Sequence, residues 1–210
     1  MTISVDIISD VICPWCYIGK RRLEKAIAAF DRQVEVRWLP FQLNPSMPKE
    51  GILRKEYRIK KFGSWERSQE LDAQVAAAGN AEGIHFAFNR MERTPNTVDS
   101  HRLIWLAGGQ GVQDAVVEAL FLAYFINGRD ISNRQTLIDV VAKAGLDRHR
   151  VEAVLKSDEG LEAIKEVEAP SRQHRVDGVP FFIINGAITL GGAQPPEAFL
   201  EAFGKADGGK

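Results

Sequence analysis

The hydrophobic periodicity of the chain changes twice, and these changes constrain the fold more than any other feature of the sequence. Residues 3–7 and 34–38 show the alternation of apolar and polar side chains that is typical of half-buried strands. Between them, residues 16–30 carry apolar side chains at helical spacing, and Pro40 closes the second strand. Because short connections join these elements, they predict a parallel βαβ unit.

From about residue 45 to residue 176 the pattern is helical almost throughout. Gly79 should end one of these helices, and Ser132 with Gln135 forms a capping-box pattern at the start of another. Pro170 falls inside the last helical pattern and should break or kink that helix. The expected helix starts lie near Ser64, Asn96 or Thr97, Val112, Ser132, Asp147 and Asp158.

Strand-like periodicity returns near the end of the chain. Asn185-Gly186 separates two short apolar runs, which is the strongest hairpin signal in the sequence. Pro195-Pro196 should open a last short helix through Phe203, and residues 205–210 should be frayed. The chain is therefore predicted to be α/β, with residues 1–44 and 177–210 as two parts of one domain. Residues 45–176 form a helical insertion between them.

Composition excludes several classes of function. The 210 residues include 27 Lys+Arg and 28 Asp+Glu, and this balance gives no general attraction to nucleic acid or an anionic membrane. The first residues lack the basic and apolar regions of a signal peptide, and the longest uncharged run, Gly178–Pro196, is interrupted by prolines and glycines. We therefore expect a cytoplasmic protein with no membrane or nucleic-acid partner.

The two cysteines lie in Cys13-Pro14-Trp15-Cys16, where the first strand ends and a helix begins. The first N–H groups of a helix are unpaired and carry partial positive charge, so they stabilise a thiolate at Cys13. Thiols in such motifs have pKa values lowered from roughly 8.5 to about 3.5–7.5. We expect Cys13 to be the attacking thiolate. Cys16, one helical turn further, should be a more buried, less acidic resolving thiol.

Other interpretations of the pair are weaker. Two unreactive core thiols would not need this position at a strand–helix junction, and a structural disulfide closing so short a loop gains little stability. A metal site lacks further ligands, because no two histidines have ligand spacing and no methionine precedes the pair. We expect no metal. The four histidines are His85, His101, His149 and His174.

Two segments resemble a known group of proteins. Ser9–Arg21, which contains the Cys-Pro-Trp-Cys sequence, and Gly178–Phe182 are similar to the DsbA-like thioredoxin superfamily. The similarity is closest to its cytoplasmic, FrnE-like branch of dithiol–disulfide oxidoreductases, and Asn96–Arg102 and Gly192–Gln194 extend it over nearly the whole chain. The resemblance implies a thioredoxin-like fold with a large helical insertion between βαβ and ββα halves. It also implies a cis peptide bond before Pro180.

The resemblance further implies a thiol–disulfide oxidoreductase without a metal or organic cofactor. Protein or small thiol substrates would form a mixed disulfide with Cys13, which Cys16 would resolve. An extended substrate segment would add as a strand against Val179, next to Cys13. Glutathione is a candidate co-substrate. The expected substrate-contacting residues are Pro14, Trp15, Val179 and Pro180.

Two alternatives remain. The related 2-hydroxychromene-2-carboxylate isomerases and kappa-class glutathione transferases typically have Ser where Cys13 stands, and a polar or acidic pair near the last helix. Here both cysteines are present and that loop is Gly192–Gln194, which disfavours a glutathione-dependent isomerase or transferase. The second alternative is a non-enzymatic metal-binding or chaperone-like protein.

Two other signals have both functional and ordinary interpretations. Asp10 is in position to relay a proton to or from Cys16, but a surface or capping aspartate is the preferred interpretation. The basic residues within 54–61 favour a solvated helix face over an anion-binding patch. Trp15 should be partly exposed, and residues 181–184 should belong to the core of the sheet.

Overall fold

A four-stranded sheet forms the centre of the molecule. The computed structural model describes residues 2–166 and 176–208. The strands are β1 (Ile3–Ser9), β2 (Val34–Pro40), β3 (Ile52–Leu53), β4 (Arg93–Thr94), β5 (Phe181–Ile184) and β6 (Ile188–Gly191). In the sheet β1 is central, pairing in parallel with β2 and antiparallel with β5, and β5 pairs antiparallel with β6.

Along the chain, most of the helices fall between the second and the fifth strand, as predicted. A π-helical turn at Leu122–Ile126 directly continues the helix that ends at Phe121, and residues 161–166 are also helical. The fold class is confirmed: a thioredoxin-like βαβ and ββα arrangement with a large helical insertion. The helices are α1 (Pro14–Ala29), α2 (Arg54–Phe62), α3 (Trp65–Asn80), α4 (Val98–Gly108), α5 (Gln113–Phe121), α6 (Arg134–Lys143), α7 (Arg148–Lys156) and α8 (Pro196–Gly208).

The pairing of β1 with β5 positions the two loops that carry the predicted site. Ile8, near the end of β1, lies opposite Phe181, the first residue of β5. Because these strands are antiparallel, the end of β1 and the start of β5 meet at one edge of the sheet. The segment leading into α1 and the segment leading into β5 are therefore neighbours.

One buried apolar cluster joins the sheet, α1 and the helical insertion. Tyr17 of α1 stacks on Phe121 of α5, with ring centroids 4.9 Å apart, and Trp38 of β2 packs edge-on against the same ring at 6.3 Å. The described residues on both sides of the predicted domain boundaries thus share a core. The boundaries themselves, at 44/45 and 176/177, stay a prediction.

Three local predictions were wrong. Gly79 does not end α3, which continues to Asn80; its missing side chain makes room for the Phe86 ring, which a Cβ at this position would clash with. The cap of α6 is Asn133, which accepts from the Thr136 amide, and not Ser132. The last helix, α8, runs to Gly208, so residues 205–208 are not frayed.

One predicted feature is not tested, and one observed feature was not predicted. Pro170, predicted to kink a helix, lies outside the described residues. The two-residue strands β3 and β4 were not predicted, because so short a pair has no period to detect.

Candidate active site

Cys13 is the residue immediately before α1, which begins at Pro14. Its backbone is extended, with φ −91° and ψ 112°, and no side chain caps the helix. No capping side chain therefore compensates the partial positive charge at this end of the helix. The Cys16 amide donates to the Cys13 carbonyl at 3.1 Å, so the first turn brings both thiols to one place.

The two thiols have different environments. Neither forms a disulfide, and the exposed fraction is 5% for Cys13 and 1% for Cys16. Burial raises the pKa of Cys16 well above its ordinary value, and the neighbouring Cys13 raises it further, while hydrogen bonds from the Ser9 hydroxyl and the Asp10 backbone oppose this shift in part. Cys16 therefore retains its proton at neutral pH.

The segment before β5 touches Cys13 directly. The Cys13 thiol donates to the Val179 carbonyl at 3.4 Å, and the Val179–Pro180 peptide bond is cis. Pro180 packs against α1 at Gly19, where a Cβ would lie 3.0 Å from the proline Cγ. The structure thus places Cys13, Cys16, Val179 and Pro180 together.

The remaining predicted contact residues surround this centre. Trp15 is 40% exposed, as expected, and Pro14 lies beside it in the first turn of α1. The Gly192 amide donates to the Pro180 carbonyl at 2.8 Å, and Arg22 of α1 donates to the Ala193 carbonyl at 2.5 Å. The loop between β6 and α8 therefore holds the Pro180 segment in place. Most of residues 181–184 are buried in the sheet, as predicted.

Asp10 is not a surface residue, so that interpretation was wrong. It is 0% exposed, because the chain after β2 and helix α4 cover it. Its Oδ2 accepts from the Leu43 amide at 2.8 Å, and its Oδ1 lies 3.4 Å from His101 Nε2. The same His101 nitrogen lies 3.2 Å from the Phe41 carbonyl.

A cavity of about 750 Å³ lies beside this pair, between β2 and helices α4 and α5. Its walls include Ser9 and Val11 at the end of β1, His101 and Ile104 of α4, and Trp105, which is 37% exposed. His101 was not among the site residues predicted from the sequence. The one signal that pointed to it was the similarity of Asn96–Arg102 to the FrnE-like branch.

The basic segment on α2 is only partly a solvated face, which corrects that prediction. Arg54 is buried and pairs with Asp72 of α3 at 2.7 Å, and the partly buried Arg58 pairs with the same carboxylate at 2.6 Å. Lys55 and Lys60 are exposed as expected. Because the opposing acid lies on α3, the local sequence could not reveal it.

Two further properties of the described residues concern metal binding and membrane insertion. Within residues 2–166 and 176–208, no group of three or more His, Cys, Asp or Glu side chains is arranged to hold a metal ion. None of the helices in those same ranges has the length and apolar character needed to span a membrane.

The sequence model of the DsbA-like thioredoxin domain family matches residues 4–204 of this chain. The chain belongs to the DsbA-like thioredoxin family. This confirms the resemblance seen in the sequence and assigns the protein to a family of thioredoxin-fold oxidoreductases.

Solved structures agree with this family. A probable DsbA oxidoreductase from Streptomyces coelicolor is 34% identical, with a TM-score of 0.92 over 99% of this chain and 91% of that chain. The cytosolic disulfide reductase DsbM from Pseudomonas aeruginosa, solved with GSH, is 19% identical, with a TM-score of 0.67 over 96% and 99%. A 2-hydroxychromene-2-carboxylate isomerase is 20% identical, with a TM-score of 0.71 over 96% and 95%. The last two similarities show a shared fold.

Proposed function

We propose that this DsbA-like protein is a thiol–disulfide oxidoreductase that acts through Cys13 and Cys16. The observation that carries the proposal is the difference between the two thiols. Both thiols are buried, but Cys13 lies at the N-terminus of α1 against the Val179 carbonyl, whereas burial and the neighbouring Cys13 raise the pKa of Cys16, which holds its proton. One thiol is thus placed to attack first and the other to act second.

The exchange proceeds in two steps. The Cys13 thiolate attacks a substrate disulfide, forming a mixed disulfide and releasing the other substrate sulfur as a thiolate. Cys16, as its thiolate, then attacks the Cys13 sulfur, forming the Cys13–Cys16 disulfide and releasing the second substrate thiolate. The substrate gains the two electrons that the protein loses, and the reverse sequence oxidises a dithiol. Because the two sulfurs carry these electrons, the reaction needs no metal or organic cofactor.

The proposed substrate is a thiol- or disulfide-containing protein segment in an extended conformation. Its backbone would pair with the backbone of Val179, which supports binding of varied sequences. Pro14, the exposed Trp15 and Pro180 would form the apolar contacts around the reacting sulfur. Glutathione is a second proposed partner, and the cytoplasm is the proposed location.

The reduction potential of the Cys13–Cys16 couple tests this function. The protein is equilibrated in graded glutathione buffers, alkylated, and weighed by mass spectrometry. A reversible two-electron transition between about −120 and −270 mV is expected for a working thiol–disulfide enzyme. A stable glutathione adduct at Cys13, with no intramolecular disulfide, would contradict the proposal and favour the glutathione-dependent alternative.

Two single substitutions serve as controls. Cys16→Ser should accumulate the mixed disulfide that the wild-type protein resolves, and Cys13→Ser should form neither species. An isomerase or transferase that does not use Cys16 would retain turnover in Cys16→Ser. Limited alkylation adds an independent check, because Cys13 should react before Cys16; equal rates would contradict the assigned roles.

A further inference from the structure

The second step of the proposed exchange requires a proton acceptor for Cys16. Its sulfur must ionise before it attacks, because the thiolate is the nucleophile. Burial raises the pKa of this thiol, so the thiolate is scarce at neutral pH. Its hydrogen-bond partners, the Ser9 hydroxyl and the Asp10 backbone, are not bases in this pH range.

The Asp10–His101 pair has the properties of such an acceptor. Both the Asp10 carboxylate and the Phe41 carbonyl accept hydrogen bonds, and both face His101 Nε2. That nitrogen therefore carries a hydrogen, which in the neutral ring leaves Nδ1 as the proton acceptor. Asp10 Oδ1 is buried and makes no hydrogen bond. A protonated imidazole ring at His101 would give this oxygen a positively charged partner 3.4 Å away.

The cavity connects this pair with Cys16. Ser9, which hydrogen-bonds to Cys16, and His101 both line the same space of about 750 Å³. The wall of this space is mostly apolar, but it includes the polar side chains of Ser9, His101 and Gln113, and its volume is large enough to hold several water molecules beside them. A chain of hydrogen bonds can therefore run from Cys16 through the Ser9 hydroxyl and water to the imidazole.

We propose that His101, oriented by Asp10, accepts the proton of Cys16 through Ser9 and cavity water during resolution of the mixed disulfide. The inference rests on the proposed disulfide exchange. As the proton leaves Cys16, its sulfur forms a bond to Cys13 and the Cys13–substrate bond breaks. The substrate sulfur leaves with the electron pair of that bond, and His101 later returns its proton to water. Asp10 acts as a positioning residue.

The other ionisable groups around Asp10 do not take this role. Burial raises the pKa of Tyr124, which interacts electrostatically with Asp10, Arg54 and Tyr57, so Tyr124 stays neutral. Arg54 is already paired with Asp72. At this step Cys13 is part of the mixed disulfide. Of the side chains facing Asp10, His101 is the one that can accept a proton at one ring nitrogen while the other keeps its hydrogen.

A two-phase reaction separates the two thiols in one experiment. Reduced protein is mixed with the chromogenic disulfide dithiobis(nitrobenzoate), which releases one thionitrobenzoate when Cys13 attacks and a second when Cys16 resolves the adduct. In His101→Gln the first phase should be unchanged, and the second should be about 100-fold slower or more at pH 7. The second phase of the variant should rise tenfold per pH unit, more steeply than in the wild-type protein.

Three further variants complete the test. His149→Gln, an exposed histidine on α7, is the matched control and should behave as wild type. Asp10→Asn should slow the second phase, because its amide would face Nε2 and favour the opposite tautomer. Ser9→Ala removes a single hydroxyl and should slow the second phase as well, which keeps the test decisive if His101→Gln fails to fold.

The outcomes distinguish this inference from the proposed function. A wild-type second phase in His101→Gln or in Ser9→Ala would overturn the proton route and leave disulfide exchange intact. Equal slowing of both phases would make His101 a structural residue and would also overturn the route. The absence of any second phase in the wild-type protein would instead contradict the proposed function.

Discussion

The thioredoxin-like elements and the helical insertion contribute different things to one site. The former carry the thiols and the Val179–Pro180 segment, whose positions follow from backbone pairing of β1 with β5. The insertion carries His101 and contacts the sheet through side chains. Gln113 of α5 shows this most clearly, because its amide accepts from the Trp38 N–H at 2.8 Å and donates to the Trp38 carbonyl at 3.2 Å. A side chain thus pairs with the outer edge of β2.

The charged contacts between α1 and α5 show the same division. Lys20 is buried on α1, and its ammonium group lies 3.1 Å from Asp114 and 3.2 Å from Glu118 of α5. Arg21 also pairs with Glu118, which accepts from the Tyr17 hydroxyl at 2.9 Å. Backbone pairing in the sheet therefore positions the sulfurs, and side-chain contacts attach the insertion to α1 and to the sheet.

The largest expected effect tests whether these two regions unfold together. Phe121→Ala should destabilise the protein by about 3–5 kcal/mol, because the ring is buried between α1 and β2. Phe203→Ala is the matched change in the thioredoxin-like part, because the Phe203 side chain on α8 is also fully buried. Urea unfolding followed by circular dichroism and by reactivity of the Cys16 thiol should give one coincident transition for each variant. Separate transitions would show two independent units.

The next effect depends on pH. Burial raises the pKa of Glu118, but the hydrogen bond from Arg21 and the charge of Lys20 outweigh burial and leave it below the ordinary value of 4.5. The ionised carboxylate therefore stabilises the fold above that pH, and the stabilisation is lost as the pH falls through the lowered pKa. Glu118→Gln should cost about 2 kcal/mol at pH 7.

The difference in the free energy of unfolding between wild type and Glu118→Gln should shrink as the measurement is repeated at successively lower pH, from 7 toward 3. Glu201→Gln, which removes an exposed i,i+4 partner of Lys205 on α8, is the control and should change nothing measurable. A constant difference at all pH values would mean that the charge of Glu118 does not couple α5 to α1.

A smaller effect is expected at the contact between α1 and the Pro180 segment. Gly19→Ala places a Cβ 3.0 Å from Pro180 Cγ and 3.1 Å from Phe182 Cζ, which should cost about 1 kcal/mol and slow the reaction of Cys13 with disulfides. Gly204→Ala on α8 meets no atom within 4 Å and should instead stabilise the helix by about 0.5–1 kcal/mol. Equal behaviour of the two variants in thermal unfolding would refute the close contact.

The smallest effect compares two exposed tryptophans, one in each region. Trp15→Ala should raise KM for apolar peptide disulfides about fivefold, or roughly 1 kcal/mol of lost apolar contact, without changing the rate with a small disulfide. Trp105→Ala on α4 should leave that KM unchanged. If both substitutions raise KM equally, the substrate extends onto the insertion as well.

Sequence patterns predicted the elements whose signals are local. Alternation gave β1 and β2, Asn185-Gly186 gave the final hairpin, and Asp147 capped α7 as expected. The surroundings of Asp10 were not predictable, because they depend on His101 in a distant helix. The two thiols could be proposed because Cys13 and Cys16 are only three residues apart, whereas Val179 and His101, which lie beside them or beside Asp10, come from distant parts of the chain.

The hydrogen bond from the Cys13 thiol to the Val179 carbonyl has a further consequence. A carbonyl that already accepts from the thiol is less available to the N–H of an incoming polypeptide. A thiolate has no hydrogen to donate, so ionisation of Cys13 frees this carbonyl at the moment the sulfur becomes nucleophilic. The protonated Cys13 thiol thus competes with the substrate N–H for the Val179 carbonyl oxygen. Ionisation of the thiol therefore activates the nucleophile and frees the substrate-binding carbonyl in the same step.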